Sequence, residues 1–216
     1  MALPADSPFR TSREERRAVL ARRFVAVMPA LLEHASYSDL SVATIIKAGS
    51  ISRASFYRYF QDKSELLLEM IQHVTEDLLG AGDEWWDLPV TATKEELVLA
   101  HRRIVDVYRR HRLLLRSVVE GAGYDPSLRA AYAELVATSV DNVARHIEDG
   151  QREGFITPDL VARPTAELLV YMGERSLYQI VGLEHETDDA RYPDPLAEIY
   201  WRTLYEGYRL ESGGIA

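Results

Sequence analysis

The chain of 216 residues contains no cysteine, which excludes disulfides, thiolate nucleophiles and cysteine-ligated metal. A reducing compartment suits that composition, and a cytoplasmic location is the expectation. No apolar run approaches the ~20 residues that a membrane-spanning helix needs, so no membrane partner is expected. Residues 1–12 (MALPADSPFRTS) lack the basic-then-apolar order of a secretory leader and read as a disordered lead-in. Strand-length alternation of β-branched residues is scarce, and neither an internal repeat nor a low-complexity tract occurs. His34, His73, His101, His111, His146 and His185 show no H-x-x-x-H or H-E-x-x-H spacing. Nucleophile-elbow, phosphate-loop and dinucleotide motifs are missing too. No catalytic residue, metal or cofactor is therefore expected, and the chain does not read as an enzyme.

What is there is ordinary globular material with an uneven charge. Hydrophobic residues make up 47% and charged residues 27%. Net charge is −9, which by itself disfavours nucleic acid. Residues 1–64, however, carry ten Lys/Arg against six Asp/Glu, leaving fifteen against twenty-eight for the rest. A small basic segment on an acidic body suggests a module for a polyanion.

Apolar positions recur three and four apart almost throughout, the period of an α-helix, and predict an all-α chain of about nine helices. The first runs from about Arg13 to Ala35 behind Thr11 and Ser12, with Val19, Phe24, Val27, Leu31 and Leu32 as its buried stripe and a kink expected at Pro29. Short helices follow at Ser41 and Ser52, then one opened by Asp62 with Glu65 three residues on, breaking near Gly80–Gly82. Beyond GAGDEWWDLPVTA (80–92), Thr93 caps a helix to Tyr108. A separate apolar helix is expected over His111–Val119, a long one from Asp125–Pro126 to about Gly150, and two more over Pro164–Val181 and Pro193–Arg209. The domain reading is a lead at 1–12, a helix-turn-helix domain at 13–61, and a ligand-binding and dimerisation domain at 62–216 with 62–79 connecting them.

Two short helices joined by a tight turn are the helix-turn-helix unit, whose second helix enters the DNA major groove. Left-handed geometry in the turn falls on Gly49 or, with strain, on Ser50. Ile51 should be buried, and Phe56 and Phe60, four apart, should anchor the short helix. That leaves Ser52, Arg53, Ser55, Tyr57, Arg58 and Tyr59 away from the core, carrying donors suited to phosphates and base edges. Lys63 heads the next helix, where a phosphate would also feel the helix N-terminus. The plainer alternative is a surface helix with tyrosines packed sideways.

The stretch LSVATIIKAGSISRASFYRYFQDKSELL (40–67) resembles the signature of the TetR family of bacterial transcriptional regulators. The resemblance implies an Ω-shaped homodimer that binds near-palindromic double-stranded operator DNA and is released by a small molecule held in its C-terminal domain. By position it implies Ser41 and Thr44 near the backbone, Arg53, Ser55 and Arg58 near bases, and Tyr57, Tyr59 and Lys63 on phosphates. Ser50 stands where the family normally has glycine, and Ile46 where it has alanine. An effector-independent regulator or activator on the same fold, or a helical carrier or interaction protein, is the alternative.

In such a family the last two long helices dimerise. Here Leu196, Ile199, Tyr200, Leu204 and Tyr208 form the candidate stripe, part of which must serve the protomer's own core. Candidate walls for a lipophilic effector are Tyr108, Tyr132, Leu168, Tyr171, Met172 and Tyr178, with Trp85 and Trp86 at a mouth. The stretch YMGERSLYQIVG (171–182) resembles the corresponding helix of the ethionamide-resistance-type repressors, which lines a lipophilic channel. That resemblance implies a carboxylate offered by Glu174, an internal salt bridge for Arg175, and Gly173 where an amide is usual. Equally, Glu174 and Arg175 satisfy each other or face the dimer seam.

Overall fold

A computed structural model describes residues 12–86, 93–183 and 192–206. Among them every regular element is helical, with eight α-helices and two single π-helical turns. Residues 1–11 of the lead-in and Tyr208 lie outside the described residues. Two compact units are present, Met1–His73 and Val74–Ala216.

In the first unit, α1 (Arg13–Leu32) starts on a full capping box: Ser12 Oγ accepts from the Glu15 N–H while Glu15 accepts from the Ser12 N–H. It continues through Pro29 and buries Ala21, Phe24, Met28 and Leu32. Val19, expected in that stripe, is 69% exposed; Ala21 and Met28, three and four residues from Phe24, hold the inner face instead. Next come α2 (Val42–Ala48) and α3 (Arg53–Tyr59). The N-terminal half of α4 (Lys63–Trp86) closes the unit with Leu66, Leu67 and Met70 fully buried. Arg17 ties α1 to α4, 2.8 Å from Glu65 and 2.7 Å from Glu69.

Helix α4 does not break at Gly80–Gly82. It runs to Trp86, because tertiary packing outweighs glycine's poor helix propensity. Gly82 is itself part of that packing: a β-carbon there would lie 2.2 Å from the Trp86 indole, which folds back over it.

The second unit contains α5 (Lys94–Gly121), α6 (Pro126–Glu153), α7 (Ala162–Leu177) and α8 (Pro193–Trp201). A π-helical turn follows α7 at Tyr178–Gly182, and another follows α8 at Arg202–Glu206. The two helices expected on either side of Tyr108–His111 are one helix, since neither glycine nor proline interrupts YRRHRLL. Asp125 caps α6, accepting from the Ser127 and Leu128 N–H groups, and Gly154 ends it in the left-handed region at φ 81°. The core joins Leu97, Val143, Ile147, Ala166, Leu169, Ala197 and Leu204 around Trp85.

Candidate functional site

The local sequence dictates the shape of the two short helices in the first unit. Ser41 and Ser52 each cap a short helix, accepting from the Thr44 and Ser55 N–H groups at 3.1 and 3.0 Å. The same hydroxyls meet those of Thr44 and Ser55 at 2.8 and 3.0 Å. Four expected DNA-contacting residues thus begin as two matched caps. Between the helices, the Ser50 N–H donates to Lys47 O and the Ile51 N–H to Ile46 O, the paired bonds of a Schellman ending. Such an ending needs one left-handed residue, and it is Ser50, at φ 49°. Gly49 is right-handed, at φ −74°. It is small for a different reason: a β-carbon there would sit 2.4 Å from two ring carbons of buried Phe24.

Phe56 and Phe60 are buried, as their spacing predicts, and their rings lie 5.6 Å apart. Ile51 is only half-buried. On the other face of α3, Ser52, Arg53, Tyr57 and Arg58 are exposed and Ser55 and Tyr59 half-buried. Arg53 stacks over the Tyr57 ring at 5.5 Å. The α3 backbone is braced from α1, where Arg13 donates to Arg58 O at 2.9 Å.

Lys63 is placed differently from its expected phosphate contact. Its ammonium donates to the carbonyls of Tyr37 (3.1 Å), Ser38 and Leu40 (2.9 Å), and the Tyr37 hydroxyl returns a bond to Lys63 O. All three of its donors are used. A phosphate contact from this ammonium would require breaking a bond that holds the loop before α2.

In the second unit, α5, α6, α7 and the first π-helical turn bring four of the expected effector residues together. The negative charge of Glu174 acts on the hydroxyls of both Tyr132 and Tyr108. Burial first, and then that negative charge, push both phenols above their ordinary range. A β-carbon on Gly182 would lie 3.6 Å from both the Tyr108 hydroxyl and the Tyr178 ring. Arg175 lies over the Tyr178 ring at 5.2 Å rather than in the expected salt bridge.

Comparison with known proteins decides the family. Residues 30–70 match the family described as bacterial regulatory proteins, tetR family, and residues 99–206 match the C-terminal domain of the transcriptional regulator EthR. The latter alone spans half of the chain. This chain belongs to the TetR family. It is 23% identical to the regulator EthR of Mycobacterium tuberculosis over 81% of this chain and 82% of that one. It is 27% identical to EthR of Mycolicibacterium smegmatis, over 78% and 76%. Among solved structures, Salmonella enterica GusR superposes with a TM-score of 0.69 at 18% identity, covering 86% of this chain and 95% of its own. PfmR of Thermus thermophilus gives 0.67 at 16%, covering 85% and 100%. The DNA-binding helix-turn-helix of this TetR-family regulator is thus α2 and α3.

Other expected sites of the TetR-family chain are placed elsewhere. Trp85, expected at a pocket mouth, is 2% exposed in the core, its ring against Trp86, His101, His146 and Tyr200. Trp86 is half-buried beside that core, as is Met172. Leu168 and Tyr171, expected as pocket walls, face outward at 72% and 53% exposure. Leu196, Tyr200 and Leu204, expected at the dimer seam, are buried within the protomer, and among the described residues of that stripe only Ile199 is exposed, at 45%. The register is off by a helical face: Tyr200 turns inward to donate to Leu169 O at 2.7 Å. Its hydroxyl would lie 2.9 Å from a β-carbon on Gly173, so a side chain there would have to displace that hydroxyl.

Sequence reasoning missed a buried polar chain. His146 Nδ1 faces Trp86 O at 3.2 Å, so it carries the proton, and Nε2 accepts from the Tyr205 hydroxyl at 2.6 Å. The Trp85 indole donates to that same hydroxyl at 3.2 Å. Burial lowers the affinity of His146 for a second proton, and that of His101 to a pKa of about 4. The signal was available: His101 and His146 occupy core-facing positions of amphipathic helices, four residues after Leu97 and one before Ile147.

Proposed function

We propose that the chain is a one-component repressor that binds a near-palindromic operator as a homodimer and leaves it when a small lipophilic molecule occupies the second unit. The outward face of α3 carries this reading: Arg53, Tyr57 and Arg58 stay in solvent because Phe56 and Phe60 take the inner face. Guanidinium and phenol donors on a short capped helix suit phosphates and guanine edges.

A homodimer is supported by two exposed stripes of heptad spacing. On and before α7 these are Val161, Pro164, Leu168, Tyr171 and Arg175; on and around α8 they are Tyr192, Pro195, Ile199 and Arg202. The two helices pack together through the Tyr200–Leu169 bond, so their stripes are suited to a four-helix bundle with a second copy. Helix α4 passes unbroken from the first unit into the second and is the natural carrier of an effector signal. An effector favouring a dimer with altered half-site separation weakens DNA binding, and DNA weakens effector binding by the same factor.

The test is fluorescence anisotropy with the DNA upstream of the chain's own gene. Sequence-selective binding that weakens steeply with salt is expected. A folded, dimeric protein that binds no DNA at low salt overturns the proposal.

A further inference from the structure

Helix α3 has seven residues, too few to hold its own shape, so neighbouring side chains must fix it. Ser52 caps its start and buried Phe56 pins its middle. Its end has no glycine turn: Phe60, the C-cap, is extended at φ −130°. Two arginines of α1, four residues apart and so on one face, hold that end instead. Arg13 donates at 2.9 Å to Arg58 O, one of the closing carbonyls that a helix leaves without a partner of its own. Arg17 lies over the Phe60 ring at 5.6 Å, and its guanidinium also reaches Glu65 and Glu69 in the first two turns of α4. Glu65 in turn accepts from the N–H of Gln61, in the link that leaves α3. All of these residues belong to the first unit. The Glu69 side chain is only 13% exposed, so its pair with Arg17 is less screened than a surface one.

We propose that Arg13 and Arg17 are positioning residues for DNA reading. Arg17 ties α1 to the start of α4, and Arg13 carries that position to the Arg58 carbonyl, setting the angle at which the Arg58 guanidinium meets a base edge. This rests on the reading of Arg58 as a base reader and adds the means by which α4 controls it. Neither arginine has to touch DNA. A hydrogen bond weakens steeply once it is bent, so a tilt of α4 against α1 is felt at the end of α3. The start of α3 is capped from within the helix and is not tied to α1 in this way. A bidentate guanine contact depends on the plane of the guanidinium, so a small turn at this end costs discrimination rather than general affinity.

Fluorescence anisotropy of the full chain with the upstream DNA and a scrambled counterpart tests the relay in wild type, Arg13→Met, Arg17→Met and Arg58→Ala. Each methionine variant is expected to lower the preference for upstream DNA by about threefold or more, a share of what a bidentate base contact supplies. Neither is expected to lower it further in an Arg58→Ala background, and the two together should lose no more than either alone. Without DNA, amide exchange at Phe60, bonded to Phe56 O, is expected to speed in Arg13→Met. Equal weakening on both DNAs, or an unchanged preference in both methionine variants, overturns the relay and leaves Arg58 as the reader. An unchanged preference in Arg58→Ala overturns the base-reader reading and the relay with it. Should Arg17→Met fail to fold, Glu69→Gln loosens the same tie to α4 and is held to the same outcome.

Discussion

Exchanging the two turn residues separately probes how this helix-turn-helix is built. Ser50 occupies the left-handed region at φ 49°, which costs a residue with a β-carbon about 1–2 kcal/mol. Ser50→Gly removes that cost and adds unfolded-chain freedom worth about 0.4–1 kcal/mol, leaving a net gain of about 0.5–1 kcal/mol. The Ser50 and Ile51 amides, bonded to Lys47 O and Ile46 O, report on the turn directly. Their hydrogen exchange is expected to slow by about two- to fivefold in Ser50→Gly. Gly49→Ala should act the other way. Its β-carbon would lie 2.4 Å from two Phe24 ring carbons, where ordinary contact begins at 3.4 Å. Phe24 is fully buried, so overpacking should cost about 1–3 kcal/mol. Phe24→Leu in the same chain should recover part of it, a coupling above about 0.5 kcal/mol by double-mutant cycle. Faster exchange in Ser50→Gly, or a neutral Gly49→Ala with no coupling to Phe24, refutes the reasoning.

Lys63→Met deprives three carbonyls of their donor and is expected to destabilise the reader unit by about 1–3 kcal/mol in urea unfolding while leaving the salt slope of DNA binding unchanged; a slope lower by about one with unaltered stability would return Lys63 to a phosphate role. His101 is buried neutral with its pKa at about 4, below the unfolded 6.5, so its contribution is complete above pH 6.5 and lost as pH falls towards 4. That loss is on the order of 3 kcal/mol, and His146 adds to it in the same direction. Urea midpoints measured from pH 7 to pH 4 should show the decline, and His101→Gln should flatten part of it; an equal slope in the variant contradicts the assignment. Leu168→Glu or Ile199→Glu should shift sedimentation towards monomer, since an apolar residue lost from a seam weakens association by roughly 1.5–3 kcal/mol. Leu196→Ala should instead lower stability, because Leu196 lies in the protomer's own core.

The sequence made the reader helix legible because its signals are local. Serine caps, the Phe56–Phe60 spacing and the solvent-facing Tyr57 and Arg58 each follow from residues within one turn of one another. The bonds of Lys63 were not legible for the opposite reason: its partners are carbonyls 23 to 26 residues away, which no spacing rule registers. The turn was half legible, since its strain was readable at Ser50 but the reason for Gly49 lies in Phe24 on another helix. In the second unit, periodicity found the helices but not their register. A stripe with Leu196, Tyr200 and Leu204 looks the same whether it faces a partner or the protomer's own core, and only the Tyr200 bond to Leu169 O distinguishes the two. The helix endings were misjudged where glycine stood against packing, as with Gly82 beneath Trp86.

The central claim is that the outward face of α3 reads DNA. Its most direct measurement is the affinity of wild type, Tyr57→Phe and Arg58→Ala for upstream DNA and for scrambled DNA, at several salt concentrations. The account predicts that Arg58→Ala erases about 1–3 kcal/mol of the difference between the two DNAs, while Tyr57→Phe weakens both alike. Unchanged discrimination in Arg58→Ala would contradict it.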